Sequence, residues 1–415
     1  MLSRGPQRLL SIAAAVRSRA ASTMSAVTGM PPGPFEVGVT TMQLDDASRK
    51  DPMSGGPRKL QTEIWYPAAA DAASMPRNLY SEYLGRGAIP GSIDAADASD
   101  AIGGYRDGLS IEELDRTWPN QAVRDARPCG ACKRPWPLVI FSHGSGAFRA
   151  SYIYWTEFLA SHGFCVMACD HPGSARYTQI GGEVVKPGGA RSARAQMEAD
   201  RPADMLFLVD CMEALAGGAD SRFARRVDTD RVALTGMSFG GFSTAAALEA
   251  RDPRVKAAVM MCPSISMSGG GTLHTSRKEV STPVMVMLGK EDTVIGEAGN
   301  AAGREYVQTH QGPAFLAEIV RGGHVSFTSC ELYNPAYGNG IGESKSLTSP
   351  GAAYTPLDIV AQHRIINSYG LAFLNAHLRA DYAGEAGLAA SAEEYNANYL
   401  AANRFGQDEL LYLSK

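Results

Sequence analysis

Val232-Ala233-Leu234-Thr235-Gly236-Met237-Ser238-Phe239-Gly240-Gly241 is the stretch on which the fold turns. It opens as a short apolar run of strand type, passes through Gly-x-Ser-x-Gly, and leads into a helical run reaching Ala250. A serine at a sharp strand-to-helix turn is held in a strained backbone conformation. Glycines flank it because neighbouring chain passes close by. This placement separates the pattern from a chance Gly-x-Ser-x-Gly and from a plain Gly-rich turn. Ser238 is therefore the candidate nucleophile.

Working outward, the same alternation of short apolar runs and helical runs continues on both sides. Pro137–Phe141, Phe164–Ala168, Arg231–Leu234, Val255–Met261, Val284–Leu288 and Phe315–Val320 read as strands. Ser151–Ser161, Ala190–Ala216, Phe239–Ala250 and 357–378 read as helices. Apolar strands without in/out alternation belong to a parallel sheet covered on both faces. The expected class is α/β, an α/β-hydrolase fold with a mostly parallel central sheet and helices on both faces. Val37–Leu44 and Leu60–Tyr66 are two earlier strands that fit an antiparallel edge. The chain divides into a leading segment 1–34, a body 35–380 with an irregular insertion at 67–136, and a tail at 381–415 that packs on the surface.

Composition sets outer limits. The 415 residues are 45% hydrophobic and 20% charged, with a formal net charge of −4. That is ordinary for a globular protein and gives no basic field for nucleic acid. No apolar run approaches the roughly 18 residues of a membrane helix. Residues 1–34 carry Arg4, Arg8, Arg17 and Arg19 with many Ala and Ser and no acid before Glu36. This reads as a transit peptide, mitochondrial or of another organelle. A secretory signal built on Leu9–Val16, and a disordered tail of a cytoplasmic protein, are the alternatives. The cysteines are odd in number and scattered, which argues against a disulfide scaffold. Cys129 and Cys132 form a C-x-x-C without further zinc-spaced ligands. Cys165 and Cys169 share one face of a strand and are expected in the core.

A serine hydroxyl needs a base, and in this fold the acid and the histidine follow the serine in chain order. His143, His162 and His171 precede Ser238. His363 and His377 lie on the closing helix, His310 ends a helical stretch, and His274 has no strand before it. His324, after the late strand and Arg321-Gly322-Gly323, is the candidate base. Asp292, in the loop after Val284–Leu288, is the candidate acid, and Glu291 is its near competitor. The oxyanion requires two backbone N–H donors. Phe239 supplies one. The loop His143-Gly144-Ser145-Gly146 supplies the other, with Ser145 ahead of Gly144 and His143 bracing the loop.

The run Phe141-Ser142-His143-Gly144-Ser145-Gly146-Ala147-Phe148-Arg149 resembles the corresponding loop of platelet-activating factor acetylhydrolases. So do Leu159-Ala160-Ser161-His162-Gly163-Phe164, Asp170-His171, the elbow at 236–241, and Arg321-Gly322-Gly323-His324-Val325-Ser326-Phe327. The resemblance covers roughly 135–330. It implies Ser238 and His324 as catalytic residues, and Ser145 and Phe239 as oxyanion donors. It further implies calcium-independent removal of short or oxidised sn-2 acyl groups from glycerophospholipids, a phospholipase A2 type of outcome. Vertebrate members place the acid at the end of the strand just after the elbow helix. Here that strand ends Met260-Met261-Cys262-Pro263, without a carboxylate. Taking the acid from the next strand, at Asp292, is similar to dienelactone-hydrolase-like and cutinase-like esterases.

The expected reaction is a two-step acyl transfer through an acyl-Ser238, with no metal or organic cofactor. The expected partner is a small lipid ester, with peripheral membrane contact and no nucleic acid. The sequence offers no basic amphipathic helix for that contact. Two other readings are a generic carboxylesterase or polyester hydrolase, and a non-catalytic binding protein on the same fold.

Overall fold

The computed structural model describes residues 28–85, 115–116, 120–130, 134–181, 183–265, 279–329, 346–379 and 405–415. In chain order the strands are β1 (Glu36–Lys50), β2 (Pro57–Ala68), β3 (Ala122–Arg124), β4 (Trp136–Ser142), β5 (Cys165–Cys169), β6 (Thr178–Ile180), β7 (Glu183–Val185), β8 (Val227–Met237), β9 (Val255–Met261), β10 (Val284–Gly289), β11 (Ala314–Ile319) and β12 (Leu410–Ser414). The helices are α1 (Tyr80–Gly85), α2 (Ile153–Ser161), α3 (Arg194–Ala214), α4 (Phe239–Leu248), α5 (Gly296–Thr309) and α6 (Ile359–Leu378).

Among the described residues ten strands form one sheet in the order β12-β11-β10-β9-β8-β4-β5-β2-β1-β3. The stretch from β5 through β4, β8, β9 and β10 to β11 is parallel. β2 pairs antiparallel with β5, and β1 with β2, as the two leading strands predict. β6 and β7 form a separate hairpin.

The continuous apolar strands are explained by their two buried faces. In β4, Val139 and Phe141 join one core cluster with Trp155 and Phe158 of α2 and Ile366 and Phe373 of α6. Leu138 and Ile140 join the other, with Met205 and Leu208 of α3, Phe242 of α4 and Tyr306 of α5. Cys165 and Cys169 both lie in the second cluster, as their spacing requires.

Three boundaries differ from the sequence expectation. The tail 381–415 is not all surface packing, because β12 pairs antiparallel with β11 and closes that edge of the sheet. An unpaired β11 edge would expose a row of backbone donors and acceptors. The insertion 67–136 is not wholly irregular: it contains α1, and β3, which adds to β1 in parallel. Residues 28–34, assigned to the leading segment, belong to the body. Thr28 carbonyl oxygen accepts from Asn367 Nδ2 (3.1 Å), and Gly33 N–H donates to Ser161 Oγ (2.9 Å). Residues 1–27, on which the transit-peptide reading chiefly rests, lie outside the described residues, as do Cys132 and His274.

Candidate active site

Every group of the candidate site hangs from the C-terminal end of a parallel strand. β8 ends at Met237, and α4 starts at Phe239. Ser238 between them has φ 57° and ψ −117°, a conformation that L-residues avoid. The glycines allow this turn. A Cβ on Gly236 would run into the carbonyl of Gly240, and one on Gly240 into the carbonyl of Ser142. The turn is also tied across the sheet, where Ser238 N–H donates to the Met261 carbonyl (2.8 Å).

His324 follows β11, and its Nε2 lies 3.0 Å from Ser238 Oγ. Its Nδ1 lies 2.6 Å from Asp292 Oδ2. Asp292 is buried in the turn after β10, where its Oδ1 accepts the N–H groups of Val294 (2.9 Å) and Ile295 (3.0 Å). Burial pushes the Asp292 carboxyl up. The charge attraction of His324 and the donors on the carboxylate outweigh it, and the carboxyl is held below its ordinary value. Cys262, at the strand end that lacks a carboxylate, brings its thiol within 4.8 Å of that same carboxylate. Glu291 takes a different direction. It accepts from Leu347 N–H (2.6 Å), Thr348 Oγ1 (2.5 Å) and Ser346 Oγ (3.1 Å), so it anchors the 346–348 segment.

The loop after β4 separates the two oxyanion candidates. Gly144 N–H donates to Tyr152 Oη (2.9 Å) and is spent. The N–H groups of Ser145 and Phe239 carry no hydrogen bond to another described residue, and both residues line the cleft at Ser238. That cleft has a volume of about 270 Å³, and Ala147, Tyr152, Val294 and Val325 give it apolar walls. Arg194 stands on its wall with a side chain 46% exposed and its guanidinium 4.3 Å from the Phe239 ring centre.

His143 is buried. Its Nδ1 donates to the Gly144 carbonyl (2.7 Å), and its Nε2 accepts the His171 N–H (3.1 Å). It braces the loop, and burial together with Arg201 and His171 pushes its pKa well down. His171 is pushed down to about 4, mainly by burial and Arg201, while joined to Asp204 (2.8 Å) and Ser142 Oγ (2.9 Å). His310 bonds the Thr282 carbonyl (2.8 Å), His363 stacks on Tyr154, and His377 packs on Phe373. None of these joins Ser238. Two buried triples, Cys262-Asp292-His324 and Cys169-His171-Asp204, have ligand-type atoms within reach of one another. In both, the imidazole Nδ1 is already closed onto the carboxylate, and Arg58 also occupies Asp204. They are hydrogen-bonded chains, not open ligand sets. The sequence reading missed Arg201 and Tyr152, which hold the loop after β4 through the His143 carbonyl and the Gly144 N–H. A lone arginine in a helical run and one tyrosine among several carry no spacing signal.

A sequence profile of the family described as "Platelet-activating factor acetylhydrolase, isoform II" matches residues 116–185, which include the loop after β4. One described as "Prolyl oligopeptidase family" matches residues 208–276, which include the elbow. The platelet-activating factor acetylhydrolase of Canis lupus familiaris is 32% identical over 154 residues, 30% of this chain and 34% of that protein. That of Bos taurus is 32% identical over 134 residues, 26% of this chain and 30% of that protein. The chain thus spans about a third of the length of the curated relatives it matches. Among solved structures, a ferulic acid esterase from Streptomyces cinnamoneus superposes with a TM-score of 0.60, at 23% identity, over 85% of this chain and 93% of its own. That likeness shows the α/β-hydrolase fold. The likeness to platelet-activating factor acetylhydrolases is thus confined to part of the chain, and residues 116–185 hold the motifs at 141–149 and 159–171.

Proposed function

We propose that this chain is a serine esterase that hydrolyses short or oxidised sn-2 acyl groups of glycerophospholipids. The observation that carries the esterase reading is the unbroken chain Asp292–His324–Ser238 ending at an open cleft. His324 takes the Ser238 proton as Oγ attacks the ester carbonyl. Asp292 holds the imidazole tautomer and stabilises the imidazolium. The N–H groups of Phe239 and Ser145 receive the oxyanion. The alcohol leaves with the proton from His324, and a water activated by His324 then hydrolyses the acyl-enzyme.

The phospholipid part rests on the likeness over the oxyanion-loop region, and on an apolar cleft with one cation on its wall. The apolar walls suit a short acyl chain, and Arg194, whose Nε also pairs with Glu198 (2.6 Å), is the cation that a phosphodiester would meet. The position of Asp292, after β10 and not after β9, favours a second reading as a more general carboxylesterase.

A fluorophosphonate probe should label wild type and leave Ser238→Ala unlabelled, with kcat falling by about 10⁶-fold in the variant. An unlabelled wild type, or a labelled variant, would remove Ser238 from the chemistry. A short-to-long acyl series on phosphatidylcholine, run beside p-nitrophenyl acetate, then separates the two esterase readings. Preference for the short-acyl phospholipid supports the first, and turnover of the neutral ester alone supports the second.

A further inference from the structure

The Arg201 guanidinium is buried, 0% exposed, directly beneath the candidate oxyanion hole. Nη2 donates to the His143 carbonyl and to Ser142 Oγ (3.1 Å), and Nη1 donates to Ser174 Oγ (2.6 Å). Its Cζ lies 4.5 Å from the centre of the Phe239 ring. Arg201 thus touches both halves of the hole. It holds the carbonyl just before Gly144-Ser145, and it stacks on the residue whose N–H is the second donor. Ser174 closes the loop from the other side, its carbonyl accepting Gly146 N–H (3.1 Å).

The partners that Arg201 lacks are as informative. Among the described residues it makes no ion pair with a carboxylate, and its Nε has no partner. Asp204, three residues further along α3, is already taken by Arg49, Arg58 and His171. Burial pushes the Arg201 pKa down to about 9. A desolvated cation held only by neutral oxygens is costly to keep. Arg58 and Arg149 are as deeply buried, and each is matched by carboxylates. Arg379 is also held by carbonyls, but these are His162 and Gly163 in the turn between α2 and β5, which carries no group of the candidate site.

We infer that Arg201 is a positioning residue of the oxyanion hole, a buried cation with no carboxylate in contact, placed to face the charge of the tetrahedral intermediate. It fixes the Ser145 and Phe239 donors in place through His143 and the Phe239 ring. Its charge then favours the negative oxygen that forms between them. This inference rests on the esterase reading and adds a residue to it.

The test uses Arg201→Met and Arg201→Lys, with p-nitrophenyl acetate as substrate and a trifluoromethyl ketone as the probe that forms a tetrahedral adduct on Ser238. Arg201→Met should lower kcat by about 10²-fold, the scale of losing one oxyanion donor, with KM changing less than about threefold. Its affinity for the ketone should fall in step with kcat. Arg201→Lys, which keeps the charge, should recover a measurable part of both. Thermal unfolding of each variant is followed in parallel. Wild-type kcat in a folded Arg201→Met would overturn the inference. So would a kcat loss with unchanged ketone affinity, or equal losses in Met and Lys that track the melting temperature. If wild type itself neither labels nor turns over any ester, the esterase reading falls and this inference falls with it. If wild type is active and Arg201→Met is not impaired, this inference alone fails.

Discussion

The sheet carries buried charge in two forms, one on each side of β4. On the side of β5, β2, β1 and β3, the charges close on one another. Arg149 meets Glu63 (2.9 Å) and Asp170 (2.5 Å). Glu63 also accepts from Arg124 (2.6 Å) and Thr41 (2.7 Å). Glu157 accepts from Tyr83 Oη (3.0 Å) and Gln121 N–H (2.8 Å). On the side of β8 to β11 the chain from Asp292 through His324 does not close. It ends on Ser238 Oγ in a cleft. A saturated polar network fixes geometry, and one with an open end has something left to give a substrate. Burial alone does not draw this line, since Asp292 is as deeply buried as Glu63 and Asp170.

The largest effect should come from breaking the open chain. Asp292→Asn should lower kcat/KM by about 10⁴-fold, about 5 kcal/mol of transition-state stabilisation, with little change in melting temperature. A loss of tenfold or less in ester hydrolysis would mean that the Asp292–His324 contact is only structural. The closed side should answer in stability instead. Arg149→Met leaves Asp170 buried beside no cation, and should cost about 3–5 kcal/mol in a urea titration. The folded fraction should keep kcat within about tenfold. Losing activity before stability would erase the distinction between the two sides.

The open side was far more legible in the sequence than the closed side. The elbow needs glycine at 236 and 240 for steric reasons, so the pattern itself carries the geometry. The parallel strands need apolar residues on both faces, so they stand out as unbroken runs. The chain order of Ser238, Asp292 and His324 follows from which strand ends face the elbow. β3 has three residues whose pairing is decided by a strand some 80 positions earlier. β12 turns Leu410 inward and leaves Leu413 60% exposed, the alternation of a half-covered edge that five residues cannot distinguish from a tail. Arg149, Glu63 and Asp170 are charges spread over more than 100 positions. Only the fold brings them together, and Arg201 is invisible for the same reason.

A third effect probes the closed side through pH. Burial is the chief cause that pushes Glu157 up to about 7, from its ordinary 4.5, and the donors from Gln121 and Tyr83 offset it only in part. Between these values the unfolded chain gives up the proton while the folded protein keeps it. Wild-type stability from this group is therefore complete below about pH 4.5 and is lost as pH rises towards 7. Glu157→Gln cannot ionise in either state. Its stability relative to wild type should rise by about 3 kcal/mol between pH 4 and pH 8. Parallel urea midpoints at the two pH values measure this. A constant difference would mean that Glu157 is already ionised in the fold.

The smallest effect falls at the boundary between the two forms. Glu291 neighbours Asp292 in the chain and has the same chemistry, yet it belongs to the closed kind. Its oxygens are filled by Ser346, Leu347 and Thr348, and those donors hold its carboxyl below the ordinary value against burial. Gln at this position keeps one acceptor oxygen for these donors and loses the charge. Glu291→Gln should therefore cost about 1–2 kcal/mol of stability and change kcat by less than about threefold. The effect should localise: limited proteolysis should cut near 346–348 sooner than in wild type. Turnover that collapses in Glu291→Gln while surviving in Asp292→Asn would exchange the two roles. It would also mean that the 2.6 Å contact between Asp292 and His324 is not the one that works during the reaction.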